Sequence, residues 1–248
     1  MKSVIKKTLG LLVMAVALVS CTKDDDNAID IDIGGGTSGA LLLIEETVDG
    51  QILHTFEYDA LNRMTAFHTN TAGGMHTSNF AYDDSDRLIA VARKNEEEIY
   101  LQETYVYGAG NKPVSGVWTH PGDDEETLIQ YAYTQNTVTE TLLLPDVEAP
   151  QINSYTFDNN GNLVTAQIGS IIQEFGDFDD KRSCYTNYPW AWKVGYVNNY
   201  QSVKLTGSID HVWEYTYNEA GYPVKVIVYN RASKELVETR AYRYKNAN

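Results

Sequence analysis

Few side chains in this 248-residue chain have the types and spacing that do covalent, metal or acid–base chemistry. The two cysteines, Cys21 and Cys184, form no CxxC pair, which excludes a thiolate metal site and a redox dithiol. Cys184 reads as a small buried hydrophobe. The five histidines (His54, His68, His76, His120 and His211) show no HExxH or comparable ligand spacing. Acidic residues run together at Asp123-Asp124-Glu125-Glu126 and recur at Asp177, Asp179 and Asp180. Calcium takes roughly six to eight oxygens in a defined geometry, which a charge run does not specify, so these segments read as solvated turns. No metal and no cofactor is expected. Carboxylate pairs for glycoside hydrolysis meet only in three dimensions, so an enzyme stays as the third reading of function. The remaining candidates are aromatic. Trp118, Tyr188, Trp190 and Trp192 could stack on sugar rings, and a groove exposing two or more of them would mark a binding site. The competing reading places them in a core or plug, because large aromatics dominate cores.

Cys21 has a different context. Lys2, Lys6 and Lys7 precede an uncharged apolar run from Thr8 to Ser20. A helix that crosses a bilayer needs about 20 apolar residues; this shorter run has the length of a signal-peptide core. Leu18-Val19-Ser20-Cys21 resembles the lipobox of bacterial lipoproteins. The resemblance implies cleavage after Ser20 and a thioether-linked diacylglycerol on Cys21, whose acyl chains contribute about 0.8 kcal/mol per buried methylene. The lipid bilayer is then the first partner. Asp24, Asp25, Asp26, Asp30 and Asp32 follow, then a Gly/Ser stretch from Gly34 to Gly39, which together read as an extended tether. Acidic residues directly behind the cysteine resemble the surface-export signal of Bacteroidetes lipoproteins. The expected layout is a signal peptide over 1–20, a lipidated tether over 21–40 and a β domain over 41–248. The expected location is the outer membrane, lipid-anchored at the cell surface, with the periplasmic face as the alternative.

Charge narrows the partners. The chain carries −15, and removing residues 1–20 takes away three lysines, leaving −18. Nucleic acid is excluded, since its binding depends on Lys and Arg neutralising phosphates. An anionic lipid surface would repel such a domain.

The elements behind the tether announce themselves by repetition. Phe56-Glu57-Tyr58-Asp59, Phe80-Ala81-Tyr82-Asp83, Tyr155-Thr156-Phe157-Asp158 and Tyr215-Thr216-Tyr217-Asn218 align without gaps, each followed by a polar break and a new apolar alternation. Weaker copies stand at Tyr105-Val106-Tyr107 and Tyr131-Ala132-Tyr133, and Tyr242-Arg243-Tyr244 repeats the aromatic pair near the end. Aromatics at i and i+2 share one face of a strand, and the Asp, Asn and Gly residues of the break tolerate the positive φ of a tight turn. Each unit is a β-hairpin. The interval of 24 to 26 residues between units fits two strands and two turns. The fold class is therefore all-β: an antiparallel meander of about seven hairpins and fourteen strands, forming a curved sheet or barrel-like domain. The register breaks once, between Phe178 and Tyr217, and Tyr185, Tyr188, Trp190, Trp192, Tyr196 and Tyr200 fall in that interval. So many aromatics should not sit in water, and an aromatic-rich insertion around 183–211 is expected to pack over or into the sheet.

The Tyr-x-Tyr-Asp-x-x-Gly-x-Leu unit resembles the YD repeats of Rhs-like proteins. Lipobox, acidic tether and hairpin repeats in that order resemble a family of uncharacterised Bacteroidetes lipoproteins described as having a porin-like β fold, and Phe178-Asp179-Asp180-Lys181 resembles a late stretch of that family. The resemblance spans Leu41 to Tyr244 and implies the fold and the anchor but no activity, so no catalytic residue is carried over. A lipid-facing barrel needs an apolar band on every strand. Glu57, Glu103, Glu214 and Lys225 are expected to face outward, which points to a water-soluble curved sheet or barrel-like form with its aromatic faces inward. A non-catalytic, surface-anchored module that binds a glycan, peptide or host macromolecule leads, ahead of a structural or assembly component of the envelope.

Overall fold

The structure, a computed structural model, describes residues 40–96 and 98–248. The expected signal peptide, Cys21 and all of the tether but its last residue lie outside the described residues. Sixteen strands follow in chain order. The first five are β1 (Leu41–Val48), β2 (Gln51–Tyr58), β3 (Met64–Thr71), β4 (Gly74–Tyr82) and β5 (Leu88–Asn95). Then come β6 (Glu98–Tyr107), β7 (Pro113–Thr119), β8 (Glu126–Tyr133), β9 (Thr137–Leu143), β10 (Gln151–Phe157) and β11 (Leu163–Ile168). The last are β12 (Ile171–Gly176), β13 (Ser202–Leu205), β14 (Ile209–Tyr217), β15 (Pro223–Asn230) and β16 (Leu236–Asn246). Each pairs antiparallel with its successor, and β16 pairs with β1, so the meander closes into a barrel with no free edge. No helix occurs among the described residues.

The aromatic–Asp unit works as a hairpin turn. In the turn from Asp59 to Arg63, the Asn62 amide donates to the Asp59 carbonyl and the Asp59 amide to the Arg63 carbonyl. This is a three-residue loop whose last residue must be left-handed. Asn62, Asp86, Gly161 and Gly221 hold that place in four turns, at φ of 64°, 61°, 84° and 79°. Side chains complete the turn: the Asp59 Oδ1 accepts from the Leu61 and Arg63 amides at 2.9 and 3.0 Å, and Asp83 and Asp158 repeat both bonds.

The second aromatic ties neighbouring hairpins together. The Tyr58, Tyr82, Tyr107, Tyr133 and Tyr244 hydroxyls donate to the carbonyls of Leu43, Met64, Leu88, Pro113 and Pro223, at 2.6 to 2.8 Å. Each acceptor lies at or near the start of an adjacent strand, so these bonds run around one rim of the barrel, here called the tyrosine rim. Arg63 stacks over Tyr82 at 5.0 Å and Arg87 over Tyr107 at 4.7 Å, each held by the Asp of its own turn.

Three expectations need correction. The described residues form sixteen strands rather than about fourteen: the seven aromatic pairs stand on β2, β4, β6, β8, β10, β14 and β16, while β12, the remaining strand of that set, carries no such pair and its turn is the insertion. The insertion spans 177–201 rather than 183–211; residues 202–211 instead form the short hairpin of β13 and the start of β14. Glu103 does not face water: it is 1% exposed, two residues from Tyr105 and therefore on the same inward face. Glu57 and Glu214 do face outward, and Lys225 is half-buried.

Removing one rim bond leaves a half-buried carbonyl without its donor. Tyr82→Phe is expected to lower unfolding stability by about 1 kcal/mol in urea denaturation, with Tyr100→Phe, whose side chain is exposed, unchanged as the control.

Candidate functional site

A barrel of sixteen strands encloses more space than its own inward side chains fill. Here the insertion of residues 177–201 occupies it. The segment begins as one more copy of the repeat. Phe178-Asp179 stands after β12, and Asp179 Oδ1 accepts from the Lys181 amide as Asp59 accepts from Leu61. The second amide, which in the other turns lies four residues on, comes instead from Asn199 at 3.1 Å. The insertion is thus a hairpin turn grown long.

Two breaks in the tyrosine ring receive it. At position 157 the hydroxyl is missing, and Gly195 packs on the bare Phe157 ring; a Cβ at 195 would lie 2.4 Å from the Gly161 carbonyl and 2.8 Å from that ring. The Leu163 amide donates to the Gly195 carbonyl at 3.0 Å. At position 217 the tyrosine hydroxyl turns from the rim to Asp179. Between these supports the chain crosses the lumen. Tyr185 meets Tyr242 on β16, Trp190 packs edge-on to Phe80 on β4, and Trp192 packs on Tyr105 and Tyr131 of β6 and β8. These rings and the inward faces of the strands form a single core.

Charges inside the lumen are all partnered. Glu46 is fully buried and takes Arg240 at 2.7 Å and the Tyr185 hydroxyl at 2.6 Å. Arg240 also holds Glu238, and Arg93 holds Glu103 at 2.7 Å. Lys193 of the insertion reaches Glu140 on β9 at 2.8 Å, and Tyr131, Asn153 and Tyr155 donate to the same carboxylate. Burial alone would raise the Glu140 pKa, but Lys193 and these donors outweigh it and hold the group below its ordinary value. Burial lowers the His54 pKa, with Glu46 opposing and Arg240 adding to the shift. Cys184 is buried and burial raises its thiol pKa, so it is a core residue.

The aromatic candidates fall inside this core. Trp190, Trp192 and Tyr188 are 7%, 8% and 9% exposed, so none presents a ring face to solvent; Trp118 is inward on β7 and packs against the same core. The expected stacking groove made of these four residues is therefore absent, because the lumen needs their volume. What the insertion leaves at the tyrosine rim is a depression of 490 Å³. Tyr185, Tyr188 and Tyr196 form part of its wall, and Asp180, Arg182, Thr186 and Asn198 bring polar groups. Arg182 is positioned by Thr186 at 3.2 Å and by the Tyr222 ring. The Tyr188 hydroxyl is buried without a hydrogen-bond partner in the protein. Arg182, Thr186, Tyr196 and Asn198 were not singled out from sequence; the one signal was that they share the aromatic interval. Among the described residues, no group of His, Cys, Asp and Glu has the geometry of a metal site.

Among solved structures, the chain is similar to a porin-like protein from Bacteroides uniformis, at 12% identity and a TM-score of 0.53, covering 84% of this chain and 98% of that one. The fold is that of a porin-like barrel. At that identity the likeness speaks for the fold alone. No family model matches the chain, and no curated protein does.

The lumen analysis makes two predictions. Lys193→Met, which strands the Glu140 carboxylate, is expected to cost about 3–5 kcal/mol, while Lys193→Met with Glu140→Leu costs much less because no charge is left unpaired; chemical denaturation of both variants decides it. The fold favours neutral His54, so its contribution is complete above about pH 6.5 and is lost as pH falls through the lowered folded value. The melting temperature should drop between pH 7 and 5, and drop less in His54→Gln. Equal slopes for the two proteins would discard His54 as a source.

Proposed function

We propose that this chain is a non-catalytic binding module, held by a lipid on Cys21 at the outer face of a bacterial outer membrane, which takes a glycan, peptide or host macromolecule at the tyrosine rim. The observation that carries the reading is the depression of 490 Å³ beside the insertion. Its size falls in the range of about 300–1,000 Å³ typical of ligand sites. A guanidinium, a hydroxyl and a side-chain amide stand there beside the half-buried Tyr196, a mixture that suits hydroxylated rings or peptide groups. Transport through the barrel is disfavoured, because the insertion fills the lumen with buried rings and paired charges. The porin-like neighbour is compatible with an envelope location, and the lipobox resemblance supports a lipid anchor. A spanning barrel is disfavoured by Glu57, Glu214 and Arg243, which are exposed on the outer wall where lipid tails would lie.

A second reading, a structural or assembly component of the envelope, is favoured by the exposed apolar residues Val106, Leu128 and Ile152 on the outer wall. Protease shaving of intact cells, followed by immunoblot, comes first. Release of the barrel supports the surface module; survival until the outer membrane is opened rejects it and favours assembly. Glycan and peptide arrays follow, with Arg182→Ala and Thr186→Ala expected to weaken any binding at least tenfold. Binding that both variants retain in full would remove the depression as the site.

A further inference from the structure

The outer wall of the barrel has two halves of different chemistry. From β12 through β16 to β1 and β2 the outward positions carry charge, among them Glu174, Lys204, Glu214, Lys225, Arg243 and Glu57. From β3 to β11 the outward positions are Thr, Ser, Asn, Gln, Ala, His68, Met75, Tyr100 and aliphatic residues for most of the barrel height. Charge returns there only at strand ends on the rim opposite the tyrosines, with Lys94, Glu98 and Glu126. The inward alternation explains the division: Arg93, Glu103 and Glu140, which these strands do contain, all point into the lumen.

The uncharged half also carries a ridge. Leu128 on β8 pairs directly with Leu143 on β9 and with Val117 on β7. Leu128 is 47% exposed, and Val106 on β6 and Ile152 on β10, 55% exposed each, stand in the next register row beyond the two ends of that line. Directly opposed side chains lie about 5 Å apart, so Val117, Leu128 and Leu143 make a continuous apolar line across three strands. None of the described residues covers it.

We propose that this face is an interface and that its occupant is a second copy of the chain. The argument is one of charge. Two copies, each at −18 without residues 1–20, repel, and the repulsion is least where neither surface bears a charge. A two-fold contact brings the same patch together from both sides; an apolar ridge matches itself, whereas a charged surface must find an offset. A basic protein partner would find nothing here to pair with. Convex walls limit the contact. About four strands at 4.8 Å spacing and eight residues at 3.3 Å give roughly 500 Å² per copy, below the roughly 800 Å² of a standard interface. The dimer is therefore weak, with a dissociation constant in the micromolar range or above. This goes beyond the ligand reading, which concerns the rim and stands whether or not copies associate.

Sedimentation velocity of the chain from Thr22 onward, between about 10 µM and 1 mM, tests it. The expected result is a concentration-dependent shift from monomer to dimer. Leu128→Glu and Val106→Lys should abolish the shift at an unchanged melting temperature, while Lys225→Glu on the charged half leaves it in place. A monomer at every concentration overturns the proposal, and so does a dimer indifferent to both substitutions on the ridge. Flotation with neutral phosphatidylcholine vesicles serves as a second arm. Vesicle binding that Leu128→Glu removes would give the face to lipid and overturn a copy as its occupant.

Discussion

The constraint on which the rest of this structure depends is the volume inside a sixteen-stranded barrel. Hydrogen bonding closes the wall, but closure alone leaves a wide lumen that side chains from the strands do not fill. Either water fills it or protein does. In this chain one hairpin turn, between β12 and β13, has grown to 25 residues and turned inward with Tyr185, Tyr188, Trp190, Trp192 and Tyr200. Large rings suit the task because each removes much apolar surface at little loss of rotamer freedom. The inward aromatics of the repeat, such as Phe80, Tyr105 and Tyr131, are the other half of the same packing.

Filling a lumen with rings leaves orientation open, and the buried charges supply it. Apolar contacts are non-directional, whereas an unpaired buried charge is costly wherever it is not met. Glu140 therefore demands Lys193, and Glu46, already paired with Arg240, accepts the Tyr185 hydroxyl. These two contacts lie on opposite sides of the wall, one on β9 and one on β1, and so fix the insertion at both flanks. The two irregular members of the tyrosine ring, Phe157 and Tyr217, seat the insertion at the rim. Both departures in the ring of hydroxyls stand where the insertion is held.

Much of the wall was legible because its signals are local. A turn needs Asp at its first place and a left-handed residue at its fourth, and strand alternation puts two aromatics on one face; both are satisfied within a dozen residues. Closure was not legible, since it joins Leu41 to Asn246 by backbone bonds that leave no mark on side-chain pattern. The inward charged residues were legible in principle. Glu103 stands two before Tyr105 and Arg240 two before Tyr242, so the rule that places the tyrosines inside places these as well. Residue type points the other way there, since charge favours exposure, whereas a wide lumen brings carboxylates and guanidinium groups together across strands. The depression at Arg182, Thr186 and Asn198 was hidden for another reason. It is built by an irregular segment, whose side-chain directions follow no period.

A closed barrel satisfies its backbone equally in water or in lipid, so the fold it shares with a porin-like protein leaves the choice of medium to the outward side chains. Those of β12 to β16, β1 and β2 would bring Glu214, Arg243 and Glu57 into hydrocarbon, at about 2–4 kcal/mol for each basic residue near the midplane and less for each acidic one. Those of β3 to β11 carry no such charge, yet Thr104, Gln102, Gln130 and Thr141 leave hydroxyls and amides that lipid cannot satisfy. One half of the wall is suited to water, and the other to a surface that is uncharged but still polar. A protein surface of the same composition meets that description better than acyl chains do, because it returns hydrogen bonds between its apolar ridges.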